Sequence, residues 1–135
     1  MKELMKSNCY EATSTMIIAG SCLKNMSPNS YQILEGISPN IFEVCLEETH
    51  VNMVITKIIG MLSRVDVKEI IFASVDESPH CIQLHYIENE IRKAMNKEIE
   101  MIHYVTVNDE LIEISDDTIK RSKSLCMLQS ESVDL

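Results

Sequence analysis

Hydrophobic and polar positions along this chain alternate between two patterns. Short continuous apolar runs occur at Thr15 to Gly20, Ile41 to Leu46, Glu69 to Ser74 and Glu98 to Val107. Their length and their content of Ile and Val suit strands buried on both faces. Between them the apolar positions recur at helical spacing. Val51, Val54, Ile55, Ile58, Ile59 and Leu62 make one wide stripe, and Leu84, Ile87, Ile91 and Ala94 make another. Ser27-Pro28 and Ser78-Pro79 each read as a helix cap followed by proline at the first helical position. Helices are therefore predicted from Pro28 to Glu35, stopping at Gly36, and from the Ser78-Pro79 cap through Ile82 to Met95. Thr49 is placed to cap the helix of the first stripe. Asn108-Asp109 is a turn signal, and Ile112 and Ile114 then alternate with Glu113 as a short return strand. Ser115 is expected to cap a last helix from Asp116 to Ser124.

The resulting order is β-α-β-α-β-α-β-β-α. Strands that alternate with helices pair in parallel through right-handed crossovers, with helices on both faces. The expected fold is a single α/β domain over residues 14–124. It is a three-layer (αβα) Rossmann-like or flavodoxin-like sandwich, its sheet mostly parallel with an antiparallel edge strand. Residues 1–13 are polar and aperiodic and read as a flexible leader, and residues 125–135 read as a loose tail. A chain of 135 residues is long enough for one core. With nine Met, two Phe and no Trp, that core is aliphatic and adaptable rather than aromatic.

Charge narrows the partners. The net charge of −9 opposes nucleic acid and anionic membranes, both of which require a basic footprint. No apolar run approaches the roughly 18 residues of a membrane span. The five cysteines are odd in number, no CxxC occurs, and no signal peptide is visible. A disulfide framework is not expected, and a reducing, cytoplasmic location is.

Reactive side chains concentrate at one strand-to-helix turn, Ser74-Val75-Asp76-Glu77-Ser78-Pro79-His80-Cys81. In an open α/β sheet the carboxyl ends of parallel strands share an edge where ligands bind. Three loops are expected to meet there. They carry Ser21, Cys22, Lys24 and Asn25; then Cys45, Glu47, Glu48 and His50; then Asp76, Ser78, His80 and Cys81. With Ser78 as cap, Cys81 falls in the first turn of its helix, where the helix dipole favours a thiolate. His85 lies four residues on and Glu88 three further, so the Cys–His–carboxylate stripe describes equally an activated nucleophile or two metal ligands with a carboxylate partner behind them. His80 and Asp76 are expected to face the strand-end cleft. The catalytic candidates are thus Cys81, His80, Asp76 and His85. Cys22, Cys45, His50, His80 and Cys81 are metal-ligand candidates, drawn from three loops rather than from one motif.

The first loop, Ile18-Ala-Gly-Ser-Cys-Leu-Lys-Asn-Met-Ser-Pro-Asn29, resembles the phosphate loop of the NADPH-dependent FMN reductases over about ten residues. Gly20, Ser21, Ser27 and Asn29 match in kind. The spacing here is one residue longer, and Leu23 stands where that family has Arg. The resemblance implies a phosphate held by backbone N–H groups and hydroxyls at a helix N-terminus, and hence flavin or nucleotide binding. No GxGxxG, Walker A, GxSxG or HExxH motif occurs.

Three readings follow. The first is a small-ligand, thiol-redox or metal site at the strand ends. The second is flavin or nucleotide binding through Gly20-Ser21. The third is a non-catalytic regulatory or subunit module whose helices form a homo-oligomer. A small molecule is the expected partner, and the residue pattern fixes no single cofactor.

Overall fold

The computed structural model describes residues 1–133. Strand β2 (Thr15–Gly20) is followed by a one-turn helix α1 (Leu23–Met26) and then α2 (Pro28–Ile37). Next come β3 (Ile41–Val44), α3 (Val51–Arg64), β4 (Glu69–Val75), α4 (Ile82–Ala94), β5 (Glu100–Val107) and β6 (Glu110–Ile114). Two helices close the chain, α5 (Asp116–Ser122) and α6 (Leu125–Val133). A two-residue strand, β1 (Lys2–Glu3), precedes them all.

The sheet order is β1-β3-β2-β4-β5-β6. Every pairing is parallel except β5 with β6. The three-layer α/β architecture read from the strand–helix alternation is therefore present. The β5–β6 hairpin turns on Asn108 and Asp109, whose φ angles of 52° and 60° are both left-handed. That pair of angles matches the twist of the flanking strands, and Asn and Asp tolerate it.

Period-two alternation divides the core between the two sheet faces. Ile18, Phe42, Ile70 and Phe72 face α3 and α4, with Val54, Ile58, Leu84, Ile87 and Ile91 packed over them. Ile17, Ala19, Ile71 and Ala73 face the other way, under Leu23, Tyr31 and Leu34 of α1 and α2. The crossovers leave β2 in the middle. The chain moves from β2 outward to β3, then returns to place β4 on the opposite side. The crevice between the carboxyl ends of β2 and β4 is therefore the topological switch point.

Several expected boundaries change. The leader over 1–13 is tied down: β1 pairs with β3, and Leu4 is fully buried in the core under α3. One apolar anchor outweighs the polar character of its neighbours. Residues 125–133 form α6 rather than a loose tail, while 134 and 135 lie outside the described residues. Gly36 does not stop α2, which runs on to Ile37. Thr49 does not cap α3; His50 stands at the N-cap with no side-chain bond. Ser115 caps α5, accepting from the N–H of Thr118.

Candidate functional site

The loop after β2 and the loop after β4 meet at the switch point. Cys22, at the N-cap of α1, and Cys81, at the N-cap of α4, bring their Sγ atoms to 3.8 Å. Both are partly buried. Gly20 ends β2 close to Cys81, and a Cβ there would lie 3.1 Å from Cys81 Sγ. A side chain at Gly20 would press on the Cys81 sulfur and displace it by a few tenths of an ångström. Burial pushes the Cys22 thiol up to about 11, with the neighbouring Cys81 adding to the effect. Cys22 is thus held protonated at neutral pH, because removing the proton would leave a charge out of water beside a second sulfur.

The loop over 76–81 does not start the helix where the sequence suggests. Ser78 Oγ accepts from the Cys81 N–H at 3.3 Å, but residues 79–81 form a turn and α4 proper starts at Ile82. Cys81 is therefore the N-cap and not part of the first helical turn. The helical stripe does not reach it, and the expected Cys81–His85 pair is not formed. Cys81 turns toward Gly20 and Cys22, while His85 turns under the helix. His80 is exposed in the turn. Asp76 is also exposed, at the mouth of the cleft described below, and its N–H bonds Thr106 O at 3.1 Å.

The five proposed metal ligands do not converge as a set. His50 and His80 are exposed on separate loops, and Cys45 lines a different hollow with Ser21 and Glu43. Among the described residues the three-donor group is instead Glu88, His103 and Asp116, with ligand atoms within 4.8 Å of one another. Its chemistry does not suit a cation: Arg92 already bonds Glu88, and Lys120 and Lys123 line the same hollow. No cofactor is assigned to it.

The Gly20-Ser21 loop is also already satisfied from within. The N–H of Ser21 bonds Val44 O at 3.0 Å, and Ser27 Oγ bonds Thr106 Oγ1 at 2.9 Å. At the start of α2 the N–H groups of Asn29 and Ser30 are taken by the two carboxylate oxygens of Asp109, at 3.3 and 3.1 Å. The hairpin turn supplies the anion that a phosphate would have been, so the phosphate reading of Gly20, Ser21, Ser27 and Asn29 is not supported by this geometry.

A second polar constellation runs under α4. Ser74 Oγ lies 2.7 Å from His85 Nε2, and His85 Nδ1 lies 3.0 Å from His103 Nδ1. His103 Nε2 lies 3.0 Å from Glu88 Oε2, and Arg92 clamps Glu88 Oε1 through Nε and Nη2 at 3.1 and 2.8 Å. Ser74, His85, Glu88 and His103 are all buried. His103 also stacks on Phe72, ring centroids 5.2 Å apart. Burial, then the adjacent His103, holds His85 down to about 3. Burial holds His103 below the ordinary histidine value although Glu88 pulls the other way. Burial opposes the charge of Glu88, but Arg92 and His103 together hold its carboxyl below the usual range.

With both histidines neutral and Glu88 ionised, one arrangement of protons satisfies every bond in the chain. The Glu88 carboxylate only accepts, so His103 carries its proton on Nε2. Neutral His103 then accepts at Nδ1, so His85 donates from Nδ1. Neutral His85 accepts at Nε2, so Ser74 donates its hydroxyl proton. The chain has one direction, from Ser74 to Glu88. Its Ser74 end lines a cleft of about 160 Å³ between α4, α5 and the β5–β6 hairpin.

Sequence reasoning did not single out His103 or assign Ser74 a role. A signal existed for both. Ser74 is in phase with Ile70 and Phe72, and His103 with Met101 and Val105, so each puts a polar group on the inward row of a strand. Polar groups there require partners.

A family model described as a Rossmann-like domain matches residues 10–134. No curated protein and no solved structure matches the chain.

Proposed function

The chain belongs to the Rossmann-like domain family, and from that premise we propose that it is a small thiol–disulfide redox protein whose reacting pair is Cys22 and Cys81. The reading rests on one observation: two thiols from different loops lie 3.8 Å apart at the switch point of the sheet. Ligands of such sheets bind at that crevice. The co-reactant is a disulfide-bearing small molecule or protein, and a reducing cytoplasm returns the pair to its dithiol form.

The chemistry divides the roles. Burial keeps the proton on Cys22, so the first attack falls to Cys81. The Cys81 thiolate displaces one sulfur of the incoming disulfide and forms a mixed disulfide. Cys22 then gives up its proton and attacks the Cys81 sulfur, releasing the second thiol. Two electrons and two protons pass from the pair to the two departing thiols. His80 and Asp76 are exposed beside this turn and take no part in the sulfur chemistry.

Equilibration in graded glutathione buffers followed by alkylation and peptide mapping tests the proposal. The expected product is a Cys22–Cys81 linked peptide, with Cys9, Cys45 and Cys126 alkylated. Cys22→Ser should accumulate glutathione on Cys81, whereas Cys81→Ser should not accumulate it on Cys22. The linkage closes a loop between residues 59 apart, worth about 4 kcal/mol in a strain-free case, or roughly 10–15 °C in Tm. Glutathione distributed by exposure alone, with no linked peptide, overturns the proposal.

A further inference from the structure

The thiol pair uses none of the Ser74–His85–His103–Glu88 chain. Ser74 and His85, 1% and 4% exposed, both line the 160 Å³ cleft, while Glu88 and Arg92 line a neighbouring hollow with His85. Val105, Ile114 and Ile119 give that cleft apolar walls, while Asp76 and Glu77 stand at its mouth.

We propose that this cleft is an acyl-transfer site with Ser74 as nucleophile, acting on small neutral esters or thioesters. As Ser74 Oγ bonds the acyl carbon, its proton passes to His85 Nε2, and the proton on His85 Nδ1 passes to His103 Nδ1. His85 ends neutral, as its other tautomer. The positive charge appears on His103, beside the Glu88 carboxylate, and not on His85. His85 conducts the proton and does not keep it, and at His103 the Glu88 carboxylate opposes the cost of charging a buried ring. The leaving alkoxide or thiolate takes the proton back along the same path, and the acyl group stays on Ser74. Water, deprotonated by the same route, then releases the acid and restores the hydroxyl. Ser74 and His85 touch the reacting atoms; His103, Glu88 and Arg92 position and stabilise them.

Shape and charge define the substrate. The volume is that of about five waters in liquid, which admits an acyl chain of on the order of five heavy atoms. The apolar walls favour a hydrocarbon chain. The two carboxylates at the mouth disfavour anionic leaving groups, in a protein already at −9.

A serine-directed alkyl fluorophosphonate and the p-nitrophenyl ester of butyric acid test the site on the intact protein. Peptide mapping should find the phosphonate on Ser74, with fluoride released, at the same rate whether Cys22 and Cys81 are reduced or oxidised. Ester turnover should vanish in Ser74→Ala and fall on the order of 100-fold in His85→Gln. Glu88→Gln should lower kcat while leaving KM unchanged; a merely structural role would disturb the cleft and raise KM. No phosphonate on Ser74 of the folded wild-type protein at millimolar probe overturns the proposal, and no variant is needed to read that result. Labelling that oxidation of the thiols abolishes would assign the reactivity to the redox pair instead and overturn it as well.

Discussion

The buried histidine pair makes acid lability the sharpest physical prediction. His85 is held down to about 3 in the folded protein, against about 6.5 in the unfolded chain. Between those values only the unfolded chain binds the proton, so stability falls as pH falls through that window. At pH 7.5 both states are neutral and the effect is nil. At pH 4.5 the unfolded histidine is almost fully charged and the folded one still neutral, a cost of roughly 3 kcal/mol from this one group. His103, also lowered, acts with the same sign. Glu88 adds to the loss only below about pH 4.5, where its unfolded carboxyl takes up a proton that the folded one refuses. The assay is urea unfolding across pH 7.5 to 4.5 for the wild type and His85→Gln. Glutamine offers a carbonyl to Ser74 and an N–H to His103 but cannot be charged. The variant should be less stable at pH 7.5, and the wild-type advantage should shrink by about 3 kcal/mol by pH 4.5, near 1–2 M urea in midpoint. A wild-type advantage that stays constant across this window would refute the neutral, buried assignment of His85.

Three further predictions concern the frame around the sites. Leu4→Ala should cost about 2–5 kcal/mol in denaturant unfolding, because Leu4 is fully buried; a cost near zero would restore the flexible leader. Asp109→Ala should destabilise by about 1–2 kcal/mol through loss of both bonds to the start of α2, with Asp109→Asn losing less. Gly20→Ala should stay within about 1 kcal/mol of wild type, since only the end of a flexible side chain must move. The displaced Cys81 sulfur should nevertheless slow formation of the Cys22–Cys81 disulfide, read by timed alkylation.

Much of the fold was legible in the chain because it is written in periodicity. The run Thr15 to Gly20 is β2 as predicted, and the 51–62 stripe is the buried face of α3. The Asn108-Asp109 signal is the hairpin turn. Such features depend on neighbours one to four residues apart. Elsewhere a single long-range contact decided the outcome. Leu4 docks a segment whose local composition says loop, and Asp109 fills a helix start some 80 residues earlier in the chain. The turn over 79–81 moved Cys81 off the helical stripe, which separated it from His85.

The sequence by itself determined the α/β class, strands β2 to β6 and the helices α2 to α5 between and after them, but not β1, α1 or α6. Hydrophobic periodicity specifies which face of each element is buried, and that is enough to stack three layers. Only the tertiary structure decided which reactive groups touch. Cys22 meets Cys81 because β2 and β4 are neighbours at the switch point, so the loops that follow them lie side by side. Ser74, His85, His103 and Glu88 join because parallel β4 and β5 put Phe72 opposite His103 beneath α4. Contacts of a few ångströms depend on register and side-chain direction across elements, which no pattern along one element encodes.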